Sequence, residues 1–266
     1  EEYEAFKENR FLSAIQHPLS TFSLDVDGAS YSNIRRMINQ GQMPSKDVVR
    51  VEEIVNYFNY DYPQPSDGYP VRIVTETAVC PWNKKHNMVR IGVKAKEIPS
   101  ETLPVSNFVF LLDVSGSMFS ANKLPLVKAS MKLLVNNLRP KDRVAIVTYA
   151  GAAGEVLPST SASDKQKIME ALDNLQAGGS TAGGAGIQLA YKIAEKNLVK
   201  GGNNRVILCT DGDFNVGVSS PTELESLIES ERKSGVFLTV LGYGMGNYKD
   251  NKLQTLAQKG NGNHAY

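Results

Sequence analysis

The chain has little of what most openly advertises chemistry. Among 266 residues there are two cysteines, three histidines and one tryptophan. Cys80 and Cys209 lack metal-ligand spacing, and Cys209, inside an apolar run, reads as a small buried hydrophobe. His17, His86 and His264 are far apart in sequence, so surface or packing roles suit them better than metal ligation. No Ser/His/Asp arrangement is supported, and Ser115 has no candidate base near it in sequence. Charge of one sign is also lacking. Lysine and arginine total 29, aspartate and glutamate 28, for a net charge of +1. Nothing therefore draws the chain toward nucleic acid or an anionic membrane. No apolar run reaches membrane-spanning length, and no stretch of these residues reads as a secretory signal. The charged opening Glu1-Glu2-Tyr3-Glu4 is what a trimmed or mature segment would show. Internal repeats and low-complexity tracts are absent.

What is present is a change of grammar near residue 105. Before it, Tyr31, Ile34 and Ile38 have helical spacing and Gly41 is a C-terminal stop. Pro44-Ser45 opens a second helix with Val48, Val51, Val55 and Phe58 on one face. Ser20–Asp25 is consistent with a short strand, and 61–68 is a proline-rich loop. Val71, Ile73, Thr75, Thr77 and Val79 alternate, as do Val89, Ile91, Val93 and Ala95. These are two antiparallel strands joined by residues 80–87. Trp82 in that connection is expected to be a packing anchor. Residues 99–104 read as a linker, giving domains 1–104 and 105–266.

From 105 strands and helices alternate, the pattern of an α/β fold with a mostly parallel central sheet and helices on both faces. The pivotal stretch is Phe108-Val-Phe-Leu-Leu-Asp113-Val-Ser115-Gly-Ser117-Met118. Its apolar run suits a strand buried on both faces. It ends in three hard oxygen donors, which suit Mg²⁺ rather than Zn²⁺. Val206-Ile-Leu-Cys-Thr-Asp211-Gly212 repeats the design. Ligands of open α/β sheets bind beyond the carboxyl ends of the strands, where strand order reverses. If these two strands are neighbours, Asp113 and Asp211 face one crevice. Thr181, in the glycine-rich loop 177–184, can add a hydroxyl, and the glycines let that loop approach closely. Ser163 is expected to cap the helix carrying Ile168, Leu172 and Leu175, and Ser220-Pro-Thr-Glu223 is a capping box.

Asp113-Val-Ser115-Gly-Ser117, Thr181 and Thr210-Asp211-Gly212 resemble, in order and setting, the metal-ion-dependent adhesion site of von Willebrand factor type A domains. The resemblance covers roughly 105–266. It implies a Rossmann-like sheet with strand order 3-2-1-4-5-6, and Mg²⁺ (or Mn²⁺ or Ca²⁺) held by Asp113, Ser115, Ser117, Thr181 and Asp211. It implies a non-enzymatic function, the metal accepting a carboxylate from a partner protein, and a shift of the Thr181 loop and last helix when that ligand enters. Phe22–Asp27, Ala29–Asn33, Arg50–Phe58 and Cys80–Asn83 resemble the N-terminal flank of bacterial envelope lipoproteins that carry such a domain. This second resemblance implies a small α+β flanking domain, an envelope location through a lipid anchor outside this chain, and later chain that would complete the antiparallel sheet. Two other readings stand beside it. The metal site could be structural, with the flank binding the partner. Asp25-Val-Asp27-Gly28 also echoes the DxDG start of a phosphohydrolase family, but a helix pair and a hairpin follow instead of a βαβ unit.

Overall fold

The computed structural model describes residues 9–21, 28–66, 68–179, 183–212, 221–244 and 250–266. The chain divides into two compact units. One comprises the residues up to Tyr57 together with Pro104–Tyr266, and the other is Phe58–Leu103.

In the larger unit, α1 (Ala29–Asn39) and α2 (Val51–Tyr57) come first. The second expected helix is broken, because Lys46–Val48 forms a 3-10 turn and only the residues from Val51 are α-helical. The turn is fastened to α1 by Ser30, whose hydroxyl donates to Val48 O and whose amide donates to Glu53 Oε2 at 2.8 Å.

The smaller unit is a hairpin of β1 (Val71–Val79) and β2 (Asn87–Ala95), paired antiparallel as expected, with Val71 opposite Ala95 and Val79 opposite Asn87. Tyr62 lies on one face over Gly92, where an added Cβ would fall 2.5 Å from its ring. The other face leaves Ile73, Val79 and Val89 about 60% exposed or more. Trp82 is 80% exposed at the hairpin connection, so it is not a packing anchor.

The α/β part begins with β3 (Ser106–Asp113), every residue of which is buried. It continues with α3 (Leu124–Asn137), β4 (Arg143–Tyr149), β5 (Ala153–Ser161), α4 (Lys165–Asp173), α5 (Gly183–Lys196) and β6 (Asn203–Thr210). Then come α6 (Pro221–Glu231), β7 (Phe237–Gly242), α7 (Asp250–Lys259) and the short β8 (His264–Ala265). The sheet order is β5-β4-β3-β6-β7-β8, parallel except for β5. Renumbered from β3, this is 3-2-1-4-5-6. The cap of α4 is Asp164, whose carboxylate accepts from Lys167 N, and not Ser163.

Why β3 is apolar throughout follows from its position. Val109 and Leu111 point into a core shared with Ile187 and Tyr191 of α5, Leu224 of α6 and Leu253 of α7. Phe110 and Leu112 point the other way, toward Val127 and Met131 of α3 and Ile168 of α4. A strand with helices on both sides has no solvent face, so alternation disappears from its sequence. Truncating any of these fully buried side chains to alanine would cost about 2–5 kcal/mol.

The start of β3 is pinned by one carboxylate. Asp142 Oδ1 accepts from Ser106 N at 2.8 Å, and Arg139 donates to both oxygens of Asp142 from its guanidinium. The same Arg139 reaches Pro104 O at 2.6 Å, which ties down the segment entering β3.

Candidate metal-binding site at the carboxyl end of the sheet

Chain connections leave β3 toward β4 on one side and reach β6 on the other, so strand order reverses at β3 and a crevice opens beyond its end. Asp113 is the last residue of β3, level with Tyr149 of β4. Leu112 pairs with Cys209 of β6, which places Thr210 beside Asp113 and Asp211 just past the strand end.

Asp113 is fully buried. Its Oδ1 accepts from Ser115 N at 2.9 Å. Its Oδ2 accepts from Tyr149 OH at 3.1 Å and from Thr210 Oγ1 at 3.4 Å. Ser115 Oγ and Ser117 Oγ stand 3.1 Å apart in the loop that follows. Met118, fully buried, anchors the far side of that loop in the core. Loop 177–179 closes over it, with Gly178 N donating to Val114 O at 2.7 Å and Gly116 N to Gly179 O at 3.0 Å. Gly179 has φ 83°, and an added Cβ would lie 3.3 Å from Gly151 N, so a side chain there is both strained and crowded.

The electrostatics are those of a site short of positive charge. Burial holds the Asp113 carboxyl above its ordinary range, against the hydrogen bonds from Ser115, and the nearby Asp211 charge pushes it further up. Burial, and then the charge of Asp113, raise the Tyr149 hydroxyl well above its usual value, so it stays a proton donor. Asp211 is 2% exposed, and Lys123 Nζ donates to its Oδ2 at 2.8 Å. Cys209, two residues before Asp211, is a free thiol pushed up to about 12 by burial, inert as expected of a core residue.

Of the five residues read from the sequence, the structure brings Asp113, Ser115, Ser117 and Asp211 to the same end of β3 and β6, while Thr181 lies outside the described residues. Asp25 and Asp27 of the phosphohydrolase reading also lie outside them. Three participants were missed. Tyr149 could have been found from strand order, since it ends the neighbouring strand. Thr210 precedes an aspartate already chosen. Lys123 carried no signal at all.

Among the described residues no three of histidine, cysteine, aspartate and glutamate gather where they could share an ion. The donor set is two buried carboxylates and hydroxyls, hard oxygens throughout. That chemistry fits a small divalent cation of the Mg²⁺ type, which takes few protein ligands and keeps waters.

This sheet order, with a crevice bounded by Asp-x-Ser-x-Ser and Thr-Asp-Gly, defines a von Willebrand factor A fold. Comparison with known proteins agrees. Residues 107–266 match the von Willebrand factor type A domain model, and residues 1–90 match a second model described as von Willebrand factor. The chain belongs to the von Willebrand factor type A domain family. It is 48% identical over 271 residues to YfbK of Escherichia coli, covering 99% of this chain and 47% of that relative. The chain thus spans about half the length of that relative. Among solved structures it resembles a von Willebrand factor type A protein of Catenulispora acidiphila (TM-score 0.52, 21% identity, 77% of this chain and 47% of that one). It also resembles BatB of Bacteroides thetaiotaomicron (TM-score 0.51, 22% identity, 60% and 89%). At these identities the likeness speaks for the fold.

Proposed function

We propose that this chain is a non-enzymatic protein-binding module of the bacterial envelope, whose A domain holds Mg²⁺ and through it a carboxylate of a partner protein. The observation that carries this reading is the pair of buried carboxylates, Asp113 and Asp211, at the reversal point of the sheet, with two serine hydroxyls beside them. Asp113, Ser115, Ser117, Thr181 and Asp211 would hold the ion. Bound there, it would supply a Lewis-acidic position with room for an outside anionic oxygen, because two carboxylates and neutral hydroxyls leave its other positions to weaker ligands. The chain's own residues do the rest. Tyr149 and Thr210 orient Asp113, and loops 114–119 and 177–179 hold each other in place. Among the described residues no helix is long and apolar enough to cross a membrane. An envelope location through a lipid anchor elsewhere in the protein rests on the N-terminal flank.

A second reading has one observation in its favour. The hairpin exposes Ile73, Val79, Val89 and Trp82, an apolar surface that could itself carry a partner while the metal is structural. Capture from envelope extract separates the two. A partner retained in Mg²⁺ and lost both with chelator and in Asp113→Ala supports metal-dependent binding. Retention that ignores chelator and mutation overturns it in favour of the hairpin.

A further inference from the structure

We propose that Lys123 is a resident counter-cation of this site, which neutralises Asp211 in the metal-free protein and is exchanged for the divalent ion when metal binds. The proposal rests on the metal-binding reading above and adds a competitor to it.

The observations concern the path of one side chain. Lys123 immediately precedes α3, with its amide bonded to Ser120 O at 2.9 Å and its carbonyl accepting from Val127 N. From there the stem runs inward, and its ammonium meets Asp211 Oδ2 at 2.8 Å. The side chains are 12% and 1% exposed, so this is not a solvated surface pair. The passage is shaped for the stem. It crosses Gly244, just past the end of β7, where φ is 83° and an added Cβ would lie 2.5 Å from Lys123 Cε. A side chain at 244 would close the route. Gly244 O also accepts from the Tyr266 hydroxyl, so the backbone bordering the route is held from the β8 side.

Charge accounts for the exchange. Two buried carboxylates without a cation would carry an expensive pair of like charges. One ammonium removes half of that and leaves the site negative. A divalent ion removes all of it, but an ammonium held against the same carboxylate would repel the ion and occupy one of its ligand oxygens. The two cations therefore compete for Asp211. Metal entry then frees an ammonium beside the position where a partner carboxylate would arrive.

The test is Mn²⁺ affinity in wild type, Lys123→Met and Lys123→Arg, read from the metal-loaded side by competition with a fluorescent chelator, so that metal-free instability of a variant does not block the measurement. The expected result is binding at least about fivefold tighter in Lys123→Met, with Lys123→Arg, which keeps the charge, nearer wild type. Without metal, Lys123→Met should melt several degrees below wild type, and saturating Mn²⁺ should raise its melting point by more than it raises the wild type's. Equal or weaker Mn²⁺ binding in Lys123→Met overturns the exchange while leaving the metal site standing. Failure of every variant, wild type included, to bind Mn²⁺ overturns both.

Discussion

Tyr149 OH donates to Asp113 Oδ2 at 3.1 Å, entirely within the protein. Strand pairing produces the contact. Asp113 and Tyr149 are opposite residues at the ends of β3 and β4, and both strands stop at the same level. One carboxylate oxygen is thereby occupied by the fold. The other accepts from the Ser115 amide, which turns the serine loop back over the strand end. The sheet thus fixes both the Asp113 carboxylate and the start of the serine loop.

Tyr149→Phe removes that donor together with the hydroxyl's hydrogen bond with Thr210. The hydroxyl is buried, and its partner is a carboxylate that burial already disfavours in its charged form. The variant should lose about 1–3 kcal/mol of stability in chelator, measured by urea unfolding, and retain the fold by circular dichroism. A loss near zero would mean that the hydroxyl does not support Asp113.

Asp142 gives a prediction in pH. Burial alone would raise its carboxyl, but the Arg139 side chain and the amides of Ser106 and Arg139 outweigh burial and hold it below its ordinary value. A depressed folded-state pKa contributes stability above the unfolded pKa of about 3.9, and this is lost as pH falls through the lower folded value. Asp142→Asn should therefore cost about 2–4 kcal/mol at neutral pH, since it leaves a half-buried arginine without its charge partner. The gap to wild type should narrow as pH drops below about 4. Urea midpoints across that range check it, and a gap independent of pH would contradict it.

Much of this architecture was legible in the chain, for reasons that can be named. β3 and β6 announce themselves because strands covered on both faces must be apolar throughout. The Asp113 and Asp211 ends stand out because a carboxylate directly after such a run has no place in a core. β1 and β2 were readable by alternation as an antiparallel pair, while their register comes from the structure. The connections were harder. Asp164 and Ser163 are both acceptable caps, and only the observed bond to Lys167 N distinguishes them. Trp82 was expected to pack because large aromatics usually do, yet it sits where the hairpin offers it nothing to cover. α1 and α2 fall in the same compact unit as the A domain while the hairpin forms its own, a division that depends on long-range contacts no local pattern records. Lys123 was invisible for the same reason. It meets Asp211 across 88 residues, through a gap left by Gly244, and lysines near helix starts are usually solvated.

The most direct measurement is calorimetric titration of Mg²⁺ and Mn²⁺ into wild type, Asp113→Ala and Asp211→Ala, each first shown to be folded. Wild type should bind one divalent ion per chain, and each variant should lose at least about tenfold in affinity, a change of ~1.4 kcal/mol or more. Equal affinity in wild type and both variants, or no binding by wild type, would contradict the account.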